Sequence, residues 1–239
     1  MVFRFRLIPF LAMLVLVAIG VAAGRWQQGR AEQKLALAAR LEAGNSAAPL
    51  ALGAAPVTLA QVEFRRLRLQ GEFVAGWPVL LDNRPQQGRA GFYLLMPFKL
   101  AGSGMHVLVA RGWLPRDRAD RNKLPAFSTP QGSVTIEGVA RRDTGHVMQL
   151  GQAAPLAPGA MVQNADAAAF AAATGWTFQP LVLEQTSPDG GSADTLLRDW
   201  PAPELGVDKH KGYAFQWYAL AAMAVLFFVF TGLRKSGKR

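Results

Sequence analysis

Two apolar runs without a single charged residue, Leu7 to Gly24 and Tyr213 to Leu233, constrain this chain more than any other feature. At 18 and 21 residues, each is long enough to cross a hydrocarbon core as a helix, given a core of about 30 Å. The 188 residues between them are polar enough, and numerous enough, for one domain with its own core. The runs also explain why only 18% of the residues are charged, against roughly 25% in an average soluble domain. There is no cysteine, which excludes disulfides, zinc–thiolate sites, iron–sulfur clusters and a thiol nucleophile.

A net charge of +10 suggests nucleic acid until it is located along the chain. All 16 acidic residues lie between Glu32 and Asp208, whereas Arg4, Arg6, Arg234, Lys235, Lys238 and Arg239 sit in two short tails. Removing those six from the 26 basic residues leaves 20 against 16 in the middle, an ordinary balance of +4. Basic tails beside apolar spans are the positive-inside pattern, so both termini read as cytoplasmic and the central region as external, with no nucleic-acid partner. The competing reading of the first run is a signal peptide cleaved after Val21-Ala22-Ala23. The run exceeds the usual signal core of about 7 to 15 residues, which favours an uncleaved span.

The expected organisation is a cytoplasmic tail (1–6), a first transmembrane helix (7–24), an external domain (25–208), a second transmembrane helix (213–233) and a cytoplasmic tail (234–239). Arg25 to Ala43 is free of proline and rich in helix formers, so a leading helix is expected over 25–43. Gly44-Asn45-Ser46 stops it, and Ala47 to Thr58, with Pro49 and Pro56, reads as a linker. From Val62 the apolar period becomes two, until Gly71 breaks it. Further strands are predicted over Trp77–Leu81, Gly91–Leu100, Met105–Trp113, Gly132–Arg142 and Gln179–Gln185. One short helix, Ala165 to Ala173, is predicted with Asn164 as N-cap and Gly175 at C′. Gln149–Gly159 and Pro188–Pro203 read as irregular. The fold class is thus a membrane protein in which two transmembrane α-helices flank a mainly antiparallel β domain, a small barrel or sandwich, with one or two short helices.

No nucleotide loop, hydrolase elbow or local metal motif is present, and the three histidines, His106, His146 and His210, are far apart in sequence. An enzyme is not expected. The suggestive residues lie where the apolar spans begin and end. If the second helix starts early enough, His210, Tyr213, Ala214 and Trp217 share one face at i, i+3, i+4 and i+7. On the first helix Trp26, Arg30 and Lys34 follow i, i+4 and i+8, with Gln27 at the edge of that stripe. Two cations beside an indole suit an amphipathic anion, and an imidazole at the same level suits a haem iron. The same residues also read as an interfacial aromatic belt with cations facing water or lipid headgroups, and residue chemistry alone leaves both readings open.

The same segments carry a family resemblance. Gly24-Arg25-Trp26-Gln27-Gln28-Gly29-Arg30 with Lys34 resembles the signature that leaves the first span in the Surfeit locus protein 1 family. Leu80-Leu81-Asp82-Asn83-Arg84, Gly91-Phe92-Tyr93 and Met96-Pro97-Phe98 are similar to its next blocks, and Val107 to Pro115 to its valine-rich strand with Arg-Gly-Trp. His210-Lys211-Gly212-Tyr213-Ala214-Phe215-Gln216-Trp217 resembles the family's entry to its second span. Two departures stand beside the match: Asp208-Lys209 where the family often has Asn, and Gln216 where it usually has Thr.

The resemblance, taken as to a bacterial member, implies a non-enzymatic assembly factor for haem–copper cytochrome c oxidase in the cell inner membrane, with a periplasmic central domain. It further implies transient holding of haem a, with His210 as the contact to iron and Trp26 and Gln27 beside it. The implied partners are the oxidase catalytic subunit, the haem a synthesis machinery and membrane lipid. The alternative is a scaffold of the same topology that stabilises a nascent oxidase subunit without binding haem.

Overall fold

The computed structural model describes residues 2–3, 5–117, 119–120, 123–149, 152, 154–188, 194–202 and 205–234. Of the basic tail residues, Arg4, Lys235, Lys238 and Arg239 therefore lie outside the described residues. In chain order the elements are β1 (Val2–Phe3), α1 (Leu7–Ser46), β2 (Leu50–Ala51), α2 (Leu59–Val62), β3 (Arg66–Phe73), β4 (Val79–Leu81), β5 (Gly91–Leu100), β6 (Met105–Pro115), β7 (Val134–Arg141), β8 (Met161–Val162), α3 (Ala167–Thr174), β9 (Thr177–Gln185), α4 (Val207–Gly232) and β10 (Leu233–Arg234). They form two compact units, one of Met1–Arg40 with Pro203–Arg239 and one of Leu41–Ala202.

The second unit is a small five-stranded barrel. Neighbours run β3–β7–β9–β6–β5, and β5 pairs back onto β3. All five contacts are antiparallel except β6–β9, which is parallel, so the barrel is mixed. Closure happens at Gly71, which faces Val134 of β7 on one side and Leu100 of β5 on the other. A Cβ there would lie 2.0 Å from the Lys99 carbonyl oxygen, so only glycine lets the two backbones approach. Gly71 therefore does not end the strand, as its sequence context suggests, but lets β3 continue to Phe73 as it changes partner.

β5 and β6 are buried along nearly their whole length. One set of side chains, including Leu67, Leu69, Phe98, Val107, Val109 and Leu183, joins one core cluster, while Tyr93, Leu95, Leu108, Val182 and Phe170 of α3 join a second. Double-sided burial explains why these two strands read as continuous apolar runs. Arg111 is buried among them with no exposure. Its guanidinium lies 4.5 Å from the Phe73 ring centre and donates to the Ser128 carbonyl (3.0 Å) and Thr129 Oγ1 (3.1 Å). Two sequence blocks meet here, because Trp113 Nε1 donates to the Arg84 carbonyl at 2.6 Å.

Several sequence-based boundaries are corrected. Val62 belongs to the helical turn α2, and the chain swings into β3 through Phe64, whose φ is +67°. The N-cap of α3 is Asp166, whose carboxylate accepts from Ala169 N at 2.8 Å; Asn164 instead exchanges two hydrogen bonds with the backbone of Val147. Gly44 lies within α1, where a side chain would meet the Phe64 carbonyl oxygen at 2.0 Å, and Ser46 ends the helix. The expected linker contributes β2, which pairs parallel with β3. Of the stretch expected to be irregular over 188–203, residues 189–193 and 203 lie outside the described residues, and Leu197 exchanges backbone hydrogen bonds with Trp113.

The first unit contains α1 as far as Arg40 and the whole of α4, and each helix is long and apolar enough to span a membrane. α1 is 40 residues, or about 60 Å at 1.5 Å per residue, so it outruns one bilayer core. Pro9 falls in its first turn, where the missing N–H costs nothing. Contacts pair Phe10 with Phe228, Gly20 with Ala221 and Gly24 with Tyr218, so the helices run antiparallel. Less exposed positions recur along α1 at Phe10, Met13, Val17, Gly20, Gly24, Gln27, Ala31 and Lys34, and along α4 at His210, Ala214, Trp217, Ala221, Ala224 and Phe228. Both series alternate steps of three and four residues, the seam of a left-handed helix pair.

Candidate functional site

Small residues let the two helices approach at this seam. A Cβ at Gly20 would sit 2.9 Å from Ala221 Cβ and 2.9 Å from the Trp217 carbonyl oxygen, and one at Gly24 would collide with the Tyr218 ring at 2.6 Å. Gly20 and Gly24 form a Gly-x-x-x-Gly step, the close-packing device of membrane helices. One turn above Gly24 the seam becomes polar: Gln27 and His210 face each other and are bonded, with Gln27 Oε1 2.7 Å from His210 Nδ1.

An amide oxygen only accepts, so Nδ1 of His210 is the donor in this contact, and in the neutral imidazole that leaves the lone pair on Nε2. An imidazole oriented through one nitrogen, with the other available, is the arrangement of a metal-ligating histidine with its supporting partner. α4 begins at Val207 and runs unbroken through Gly212, so His210 lies within regular helix, on a face shared with Ala214 and Trp217. Among the described residues, no group of three His, Asp or Glu surrounds a common point. His210 thus offers an iron a single bond, which suits an iron already held by a macrocycle.

The remaining candidates separate by face. Trp26, Arg30 and Tyr213 are exposed, while Lys34 and Trp217 are half-buried along the seam. Arg30 stacks over the Trp26 indole at 5.6 Å and donates to Gln33 Oε1 at 3.3 Å. The structure thus joins Gln27 to His210 and Trp26 to Arg30. Among the described contacts none links Arg30, Lys34, Tyr213 or Trp217 directly to the imidazole.

A second polar clamp escaped the sequence reading: Tyr218 Oη donates to Gln28 Oε1 at 3.2 Å, beside the Gly24 contact. The Gly-x-x-x-Gly spacing is the signal that would have located it. The other histidines belong elsewhere. His106 is buried in the barrel, stacked on Trp176 with centroids 4.9 Å apart, and burial lowers its pKa below the usual imidazole range. His146 is exposed in a loop.

The model described as the SURF1 family matches residues 14–222, taking in the whole barrel, α1 from Leu14 onward and α4 as far as Ala222. A SURF1-like protein of Monosiga brevicollis is 28% identical over 250 residues, covering 95% of this chain and 88% of that protein. Surfeit locus protein 1 of Rattus norvegicus is 27% identical over 230 residues, 89% of this chain and 71% of that protein. The cytochrome oxidase assembly protein SHY1 of Saccharomyces cerevisiae is 28% identical over 123 residues, half of this chain and 32% of that protein. These relatives are eukaryotic.

Proposed function

The chain belongs to the SURF1 family, and from that premise we propose that it is a cytochrome oxidase assembly factor that holds haem a and presents it to the oxidase catalytic subunit. Haem a is the cargo, and no bond of the porphyrin is made or broken. The observation that carries this reading is the Gln27–His210 contact, which holds the imidazole with Nε2 open. His210 would bind the iron, Arg30 and Lys34 would meet the propionates, and Trp26, Tyr213 and Trp217 would flank the macrocycle where the helices emerge from the apolar layer. One axial bond suits a carrier, since a cargo gripped from both sides is slow to leave.

The proposed setting is a bacterial inner membrane, with both termini cytoplasmic, spans over 7–24 and 213–233, and the domain of 25–208 periplasmic. The basic residues of the two short tails, Arg4 and Arg6 at one end and Arg234, Lys235, Lys238 and Arg239 at the other, support that orientation. The bacterial assignment itself rests on the sequence resemblance. The haem a synthesis machinery would supply the cargo, and membrane lipid surrounds the spans.

The test is the absorption spectrum of the detergent-purified full chain after co-expression with the haem a pathway, beside His210→Ala. The expected result is a haem a Soret band that His210→Ala loses while inserting normally. A colourless wild type in the presence of ample haem a overturns the carrier reading in favour of a scaffold for a nascent oxidase subunit.

A further inference from the structure

Deeper in the helix pair, an apolar groove of about 330 Å³ opens along one side of the seam. Leu16, Ile19 and Gly20 line it on α1, and Trp217, Leu220 and Phe227 on α4. Ala224 also lines it, and the missing side chain at Gly20 together with the single methyl of Ala224 keeps it open. Ligand pockets run from about 300 to 1,000 Å³, so this volume suits a chain rather than a macrocycle.

Helical spacing relates the groove to the polar end. On α4, His210, Tyr213, Trp217, Leu220, Ala224 and Phe227 step by 3, 4, 3, 4 and 3 residues, one continuous line of the helix. On α1, Leu16, Ile19, Ala23, Trp26, Arg30 and Lys34 step by 3, 4, 3, 4 and 4. Each line starts among groove residues and ends among the cations and the imidazole. The opposite side of the pair is closed by Tyr218 against Gly24 and Gln28. At 1.5 Å per residue the groove extends from about 10 Å to about 25 Å below His210.

We propose that this groove receives the isoprenoid chain of haem a, and so selects that haem over haem b. The inference rests on the haem-holding reading above and adds its specificity. Haem a carries its isoprenoid chain on the edge of the porphyrin remote from the propionates. With iron at His210 and propionates toward Arg30 and Lys34, that edge points down the two lines into the groove. In the groove such a chain packs against Leu16, Ile19, Leu220 and Phe227, van der Waals contact that haem b, which lacks the chain, cannot make.

The experiment is a titration of the full chain in lipid nanodiscs with haem a, haem b and haem o, which has the isoprenoid chain but no formyl group. Haem a and haem o are expected to bind at least tenfold more tightly than haem b. Ala224→Phe, which fills the groove, is expected to bring the three affinities together by weakening the first two. Val225→Phe, off both lines, serves as the control for added bulk. Equal affinities in the wild type overturn the inference while leaving the haem reading intact, the groove then being filled by lipid acyl chains only. A formyl-dependent preference, with haem o binding like haem b, overturns it too. Failure to bind any of the three haems removes the haem reading and this inference together.

Discussion

In the barrel, His106 stacks on Trp176, has its Nδ1 3.3 Å from the Thr177 carbonyl and is held toward the neutral form by burial. In the helix pair, His210 is half-buried, bonded to one glutamine and left with an open nitrogen. The contrast extends to the cations. Barrel arginines are absorbed by partners: Arg111 by Ser128 and Thr129, Arg84 by the Gly145 and Gln163 carbonyls, and Arg141 by Glu184 at 2.8 Å. Arg30 and Lys34 have no carboxylate partner among the described ion pairs. Where polar groups are satisfied internally they specify a fold; where they are oriented but unspent they are available to a ligand.

That comparison is broken most severely at barrel closure. Gly71→Val drives a side chain into the Lys99 carbonyl and should cost about 3 kcal/mol, the upper end for overpacking. Circular dichroism is expected to show loss of the β signal with helicity retained; simultaneous loss of both would show that the two units do not fold separately. Next is Gly24→Leu, which meets the Tyr218 ring and should weaken the helix pair by about 1 to 3 kcal/mol. A cysteine pair introduced at Phe10 and Phe228, whose ring centres lie 5.7 Å apart, is expected to be bridged by a short bifunctional thiol reagent in the otherwise unchanged chain and not in the Gly24→Leu background; unchanged bridging would contradict the packing.

A smaller effect is expected from Gln27→Leu, which leaves the imidazole unoriented. Loss of such a supporting partner costs roughly 10- to 100-fold in metal affinity, so haem affinity should fall by at least the lower figure while Tm holds. Smallest is the pH effect of His106. Its folded pKa is lowered, so below the ordinary value near 6.5 the unfolded chain binds a proton that the barrel refuses. Stability is therefore expected to fall as pH drops through about 6.5, and His106→Phe should remove that component in urea titrations. An identical pH profile in the variant would place the titration elsewhere.

Much of this was legible in the sequence because period and charge are local signals. The spans, the two-residue alternation of β3 and the apolar β5 and β6 follow directly from them. Barrel closure was not legible, because Gly71 looks like a strand breaker until β5 is known to pass within contact of it. The α3 cap was misplaced by two residues because Asn164 and Asp166 are equally good caps, and only the tertiary bond of Asn164 to Val147 decides between them. Within the site, Trp26 and Arg30 could be paired by helical spacing, and His210 placed on a face with Trp217. The bond that orients His210 joins residues 183 positions apart, and no local pattern announces it. Gln28 and Tyr218 are different, because Gly20-x-x-x-Gly24 is a local mark of the close approach beside which they pair.

The central claim is that His210 offers its Nε2 to the haem iron, and cavity rescue tests it most directly. His210→Gly, purified after co-expression with the haem a pathway, should lack the Soret band and, after removal of unbound haem, should retain added haem a only when free imidazole is supplied with it. A band of wild-type intensity in His210→Gly without imidazole would contradict the account, since the iron would then be held by something else.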